Sequence, residues 1–342
     1  MTFASTDGHS KPRDPTPDCV SISEHHRVLL ISFPRCFTVR EAIPFRQCLE
    51  YQLLAYPDIR KVVLDFSKTE HVDSSGLGSL VLNLKQARSK SIPFEAWSVG
   101  SQVGVAFSLS GLDQVIPIVE NTLAVNPVQS INSKERLAVT HPSVRSRTKR
   151  LLDIIGSLIG LAITAALFPV IALAIQLDSP GPILFSQERF GLMGRRFRLW
   201  KFRSMVVNAE ALRDQVMNEA DGAIFKNSND PRMTRVGRLL RRTSLDELPQ
   251  FWNVLIGDMS LIGTRPPTSD EVEHYAIPSW QRFDVRPGMS GEWQVYGRSA
   301  IRNFEDVIRL DLRYQQRWTL SHDLYLMLRT VLLLLTRRSG AF

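Results

Sequence analysis

The sequence predicts an α/β fold in two parts, a small α/β domain followed by a larger, membrane-anchored one. Three observations carry this. From Arg27 to about Val125, short apolar runs alternate with amphipathic stretches at helical spacing. A polar stretch containing two prolines, NPVQSINSKERLAVTHPSVRSRTK, then breaks the pattern. Beyond it, the 22 residues from Ile154 to Ile175 carry no charge, enough to cross a hydrocarbon core of about 30 Å. A chain of 342 residues has room for two domains of ordinary size.

The elements follow in order. MTFASTDGHSKPRDPTPD holds no apolar run, so residues 1–20 read as a disordered tail without a signal peptide. Residues 21–126 form the first domain. RVLLISF, KVVLDFS and PFEAWSV are short apolar runs that read as strands. VREAIPFRQCLEYQLLAY, SGLGSLVLNLKQARSK and SQVGVAFSLSG space their apolar residues as helices. Residues 127–147 are the linker, and residues 148–342 the second domain. The three cysteines, Cys19, Cys36 and Cys48, are odd in number and lack metal-site spacing, which favours reduced thiols in a cytosolic setting.

The net charge of +8 is uneven. Between Pro142 and Arg242 stand 17 Lys/Arg against 8 Asp/Glu, so this stretch carries +9 and the rest −1. Such a block suits an anionic partner: nucleic acid, a membrane surface or a phosphorylated substrate. RRFRLWKFRSM interleaves cations with aromatic side chains; beside a hydrophobic anchor this pattern belongs to a membrane interface, and no nucleic-acid partner is expected. LYLMLRTVLLLLTRR is short and interrupted at Arg329, and reads as an interfacial or packed helix.

The apolar segment has two peculiarities. Pro169 removes a backbone hydrogen bond near its middle, where a break would let the chain turn back. Basic residues flank it on both sides, Arg145, Arg147, Lys149 and Arg150 before and Arg189, Arg195, Arg196 and Arg198 after. That symmetry favours neither orientation of a crossing helix. A re-entrant hairpin with both flanks on the cytoplasmic face is the expectation.

Two short motifs could carry chemistry. HVDSSGLGSLVLNL places Asp73, Ser74 and Ser75 at a strand-to-helix junction, where an N-cap and close packing at glycine are the plain explanation. RRTSLDELPQFWNVLIGDMSLIGTRPP holds the adjacent carboxylates Asp246 and Glu247. Ser244 and Glu247 have the spacing of a capping box; alternatively Pro249 is the first helical residue and the pair precedes it. Either arrangement sets both carboxylates at the positive end of a helix dipole, which favours their ionised forms. Arg241, Arg242 and Arg265 lie close in sequence, and guanidinium forks suit phosphate. No Walker loop, dinucleotide fingerprint, HExxH motif or serine elbow is present. What remains is phosphoryl chemistry on a lipid-linked substrate.

The stretch from Arg27 to Val125 resembles STAS domains, the anti-sigma-factor antagonist family, with HVDSSGLGSLVLNL as the phosphorylation loop. The resemblance implies that Ser74 is a candidate regulatory phosphosite, with a kinase or regulatory protein as partner. Residues from about Thr148 to Phe342 resemble the bacterial sugar transferases, the monotopic phosphoglycosyl transferase superfamily. The resemblance rests on KRLLDIIGS, SPGPILFSQERFG, FRLWKFRSM, NDPRMTRVGRLLRRTSLDELPQFWNVLIGDMSLIGTRP, RPGMSGEWQVYGR and DLYLMLRTV, in order.

That second resemblance implies an α+β domain with a re-entrant helix broken at Pro169, on the cytoplasmic face of the bacterial inner membrane. It implies a UDP-sugar donor, undecaprenyl phosphate as acceptor, Mg²⁺ as cofactor and a start to exopolysaccharide or other glycan synthesis. Asp246 is then the nucleophile that holds a covalent phosphosugar as UMP leaves, and Glu247 its partner, both beside Mg²⁺. Arg241, Arg265, Lys201, Arg203 and Arg298 are the expected phosphate or substrate contacts. A homodimer is compatible with this reading. Thr264 and Glu292 depart from the family's usual residues and are expected to bear on substrate choice. Every matched catalytic residue lies beyond residue 140, so the second domain is expected to retain basal transfer alone. The alternative is a membrane-tethered STAS regulator with an inactive transferase half.

Overall fold

The computed structural model describes residues 20–25, 27–119, 141–219, 225, 227, 229–297, 301 and 303–336. Residues 1–19 of the expected tail therefore lie outside the described residues, as do Arg298 and the first part of the linker. Strands β1 (Ser21–His25), β2 (Val28–Ser32), β4 (Lys61–Asp65), β6 (Phe94–Trp97) and β7 (Ile118–Val119) form one sheet in the order β1-β2-β4-β6-β7. β1 is antiparallel and the other neighbours are parallel, with Val63 opposite Leu30 and Glu95. A two-residue parallel pair, β3 (Cys36–Phe37) and β5 (His71–Val72), lies apart from it. Parallel strands need helical crossovers, which Val39–Ala55, Ser74–Ser89 and Ser101–Ser110 supply. The central strands bury Leu29, Ile31, Val62 and Leu64, as their continuous apolar runs demand. β1, with only one apolar residue in SISEH, has no such signature; edge pairing to β2 makes it a strand.

The second domain begins earlier than its sequence suggests. Pro142–Arg145 is a helical turn with Ser143 and Val144 buried, and His141 sits edge-on to Trp318 and bonds the Gln315 carbonyl at 3.2 Å. The end of the expected linker is thus part of the fold. An antiparallel hairpin follows, β8 (Leu184–Phe190) with β9 (Arg196–Phe202), in register from Leu184↔Phe202 to Phe190↔Arg196. RRFRLWKFRSM is largely the second strand of this hairpin. A short parallel pair, β10 (Ser260–Ile262) and β11 (Gly288–Ser290), and helices over Phe304–Gln316 and Leu320–Leu335 complete the described part.

The long apolar helix runs unbroken from Arg147 to Asp178. The expected break at Pro169 is therefore not a division into two helices. Proline costs one bond to the preceding turn, but both neighbouring turns are held from outside. Thr164 donates to the Leu248 carbonyl at 3.3 Å, and Ile171 and Ile175 pack with Phe202 and Leu240. Lys149 reaches Asp323 at 2.7 Å, Asp153 accepts from Ser260 and Leu261, and Asp178 accepts from the Val236 amide at 2.8 Å. Both ends are thus tied to one folded domain. Small residues bring the helix close: a Cβ on Gly160 would lie 2.4 Å from the Phe251 ring. The outward face, including Leu151, Ile155, Leu158, Ile159, Val170 and Leu173, stays bare. Over its most apolar window the helix as a whole is only 22% buried, unlike a core helix. Leu324, Leu328, Val331 and Leu332 of the last helix add to the exposed apolar surface.

The two domains are packed on each other. Met193 and Ile277 of the second are buried within the hydrophobic cluster of the first, and Val81 of the first packs on the cluster around Trp280 and Phe283.

Candidate functional site

The carboxylate pair sits at a bend between helices. Helix Arg235–Thr243 is capped by Thr234, whose side chain accepts from the Gly237 amide at 2.9 Å. It ends at Ser244, which adopts the left-handed conformation with φ 57°. An N-cap needs extended backbone, so the capping box at Ser244 does not form. Leu245–Glu247 is a 3-10 turn, and the next helix runs from Gln250 to Ile256 with Pro249 immediately before it. Successive residues in such a turn diverge by about 120°, so Asp246 and Glu247 face different surroundings. Asp246 is buried, at 5% exposure. Glu247 is partly exposed and accepts from Lys201 of β9 at 3.0 Å.

Glu247 is a shared wall of two cavities. One, of about 110 Å³, is lined by Arg189, Lys201, Arg265, Gln250, Trp293 and Gln294, among others. Three cations and one carboxylate in so small a space leave excess positive charge. The Arg189 guanidinium shows the strain: burial, then its neighbour Arg265, push its pKa down to about 10. It stays charged at neutral pH, and an entering anion would relieve the repulsion. The other cavity, of about 470 Å³, is mostly apolar. Phe251, Leu261, Met289, Val295, Met327 and Val331 line it, with Gly156 of the long helix and Ser244 of the bend. Asp246 is not among the lining residues of either.

The other expected contacts divide. Lys201 and Arg265 reach the cationic pocket. Arg265 also bonds Glu271 at 2.6 Å and lies 5.6 Å from the Trp293 ring. Burial alone would raise the Glu271 carboxyl, but Arg265, Arg189 and Arg282 outweigh it and hold it below the usual range. Arg241 bonds Ser204 at 3.0 Å and lines neither cavity. Arg203, expected at the phosphates, lines neither cavity: its guanidinium donates to the carbonyls of Ser179 and Pro180, clamping the end of the long helix. Thr264 and Glu292 are also internal. Thr264 donates to the Arg282 carbonyl at 3.2 Å, while buried Glu292 bonds Arg313 and His322. Neither is placed to touch a substrate in these cavities. Arg189 is the pocket cation that the sequence reading passed over. It stands among many basic residues flanking the apolar segment, and only the β8–β9 register sets it on the same face as Lys201.

Ser74 has no exposed surface. Its helix is capped by Asp73, which accepts from the Gly76 amide at 2.8 Å. The Ser74 amide donates to Asp284 at 3.0 Å and its hydroxyl to the Met193 sulfur at 3.2 Å. Burial and the nearby Asp73 carboxylate push the Asp284 pKa up to about 7.

Comparison with known proteins matches this layout. Residues 144–337 match the family described as bacterial sugar transferase, and residues 20–124 match the STAS domain. The galactosyl transferase CpsE of Streptococcus agalactiae is 45% identical over 185 residues, 54% of this chain and 41% of that protein. A UDP-glucose:undecaprenyl-phosphate glucose-1-phosphate transferase of Caulobacter vibrioides is 40% identical over 195 residues, 55% of this chain and 70% of that one. A UDP-N-acetylgalactosamine-undecaprenyl-phosphate N-acetylgalactosaminephosphotransferase of Aeromonas hydrophila is 32% identical and covers 84% of this chain and 63% of its own length. The matched segment thus spans about two fifths of the Streptococcus relative. Among solved structures, an anti-sigma factor antagonist from Mycobacterium paratuberculosis covers 36% of this chain and 97% of its own, at 19% identity and a TM-score of 0.28. With the family match extending over more than half of its residues, the chain belongs to the bacterial sugar transferases and carries a STAS domain ahead of the transferase segment.

Proposed function

We propose that this protein moves a sugar-1-phosphate from a UDP-sugar to undecaprenyl phosphate and so begins assembly of an exopolysaccharide or related glycan. The observation that carries this reading is Glu247, standing between a cationic pocket and an apolar cavity. The diphosphate group of a nucleotide-sugar suits the first and a polyprenyl chain the second. In the first step a carboxylate oxygen of Asp246 attacks the β-phosphorus of the UDP-sugar. The bond to the oxygen bridging the α-phosphate breaks, and UMP leaves with that oxygen. In the second, a phosphate oxygen of the acceptor attacks the same phosphorus, and the bond to Asp246 breaks. Undecaprenyl diphosphate-sugar leaves and the carboxylate is regenerated. Arg189, Lys201 and Arg265 screen the phosphates from the approaching carboxylate. Burial of Asp246 keeps water from the acyl phosphate.

Among the described residues, no cluster of three or more His, Cys, Asp or Glu could hold a metal. Glu247, a carboxylate on the wall of the cationic pocket, nonetheless fits Mg²⁺, which keeps several waters and takes one or two carboxylates together with substrate phosphates. Glu247 would hold it, and its charge would neutralise the diphosphate. Purified protein in nanodiscs, given a panel of UDP-sugars, tests the reading. UMP should appear with one of them and depend on undecaprenyl phosphate for sustained turnover. No UMP from any donor would overturn it.

The same reading places the chain on the cytoplasmic face of the inner membrane, as a monotopic protein. Support comes from the long helix, tied at both ends to one domain and bare on its outer face. In a background without native cysteines, Thr148→Cys and Glu188→Cys should both be labelled only from the cytoplasmic side. Labelling of either from outside makes the helix a crossing one. The STAS domain acts as the regulatory part, with Ser74 as its phosphosite and a kinase or regulatory protein as partner.

A further inference from the structure

The eight-residue 3-10 segment Ile277–Asp284 touches the two domains with different side chains. Toward the STAS domain it presents Ile277, buried in that domain's core, Trp280 and Asp284. A Cβ on Gly78 would lie 2.3 Å from the Trp280 ring, so the helix carrying Ser74 lies directly against the indole. Toward the transferase pocket the segment presents Arg282, which is fully buried. Arg282 donates to the Arg265 carbonyl at 2.9 Å and pairs with Asp311, whose carboxylate accepts from the Arg265 amide at 3.3 Å. The backbone of Arg265 is therefore gripped on both its polar groups by Arg282 and Asp311. One residue, Phe283, separates this grip from the bond between Asp284 and Ser74.

We propose that the segment Ile277–Asp284 couples docking of the STAS domain to the set of Arg265, so that separation of the domains loosens the cationic pocket and weakens binding of the nucleotide-sugar diphosphate. Arg282 and Asp311 are positioning residues in this device, acting through Arg265. Docking also hides Ser74 completely, so a kinase reaches its hydroxyl only in the separated state. A phosphate added there cannot return to a site occupied by Met193 and the Asp284 carboxylate, because it brings further negative charge into a buried contact. Modification therefore holds the domains apart and the transferase in its weaker-binding form. The consequence for substrate rests on the transferase reading; the mechanical coupling does not.

Gly78→Ala in the full chain is the direct test. Alanine favours the helix over glycine, so the STAS domain keeps its fold, while the new methyl group collides with Trp280. Ser74→Asp separates the domains by charge instead. Hydrogen exchange, read without substrate in nanodiscs, should rise in both variants over residues 277–284 and over 264–268. With the transferred UDP-sugar, KM should rise about tenfold while kcat stays within about threefold, the pattern of lost ground-state binding. The inference fails if the domains stay docked in both variants. It fails equally if they separate while exchange at 264–268 and KM remain those of the parent. If the parent itself turns over no UDP-sugar but exchange at 264–268 still rises, the coupling stands and the transferase reading falls.

Discussion

Asp246→Asn is expected to abolish sugar-phosphate transfer while leaving the fold intact. The amide matches the carboxylate in size, and Asp246 is buried in a turn whose shape is set by Ser244 and Pro249. An amide oxygen is a poor nucleophile toward phosphorus, so the covalent step is lost. Removing a covalent nucleophile typically costs roughly 10⁴-fold or more in turnover. Intact mass spectrometry should show a phosphosugar adduct on the parent incubated with its UDP-sugar, and none on the variant. Glu247→Gln should retain adduct formation but slow both steps about 10²-fold, since the charge facing Lys201 and both cavities is gone. Because Glu247 lines the cavities and Asp246 does not, the opposite pattern has a clear meaning. An adduct that survives Asp246→Asn and disappears in Glu247→Gln would make Glu247 the nucleophile.

Lys149→Met is expected to produce the largest loss of stability. The Lys149 ammonium donates to Asp323 at 2.7 Å and to the Ile262 carbonyl at 2.9 Å, at the start of the long helix. Asp323 has no exposure and also accepts from Tyr314 at 2.8 Å and Trp318 at 3.0 Å. Removing the cation strands a buried carboxylate, at a cost of about 3–5 kcal/mol. Adding Asp323→Asn should recover most of the loss, since the stranded charge goes with it. Unfolding by denaturant in detergent measures both. A loss below about 1 kcal/mol in the single variant would show that the ion pair is not holding the helix. The same pair joins two walls of the apolar cavity, Gly156 on one helix and Met327 and Val331 on the other. The variant should therefore also need more polyprenyl phosphate to reach half-maximal rate.

The sequence by itself determined whatever depends on neighbours a few residues away. Apolar runs and helical spacing were enough for β2, β4, β6 and the three helices that cross between them, because burial on both sheet faces leaves a continuous apolar signature. The long helix, too, was legible in its uncharged run. Asp246 and Glu247 stood out as paired carboxylates just before a proline and among arginines, and the structure sets them at a bend.

Tertiary structure decided what depends on distant partners. Pro169 lies inside one continuous helix because outside contacts hold the turns on both sides of it. Arg203 and Arg189 look alike in sequence. One is occupied by backbone carbonyls at the end of the long helix; the other is carried by the β8–β9 hairpin into a pocket with Lys201 and Arg265. The second domain was expected to retain basal transfer alone because every matched catalytic residue lies beyond residue 140, but no periodic pattern marks Met193 or Ile277 as part of the first domain's core. Their burial, like the bond between Ser74 and Asp284 some 210 residues apart, comes from packing two surfaces whose sequence patterns are separately satisfied. Local periodicity reports which face of an element seeks cover, and only the folded chain supplies the surface that covers it.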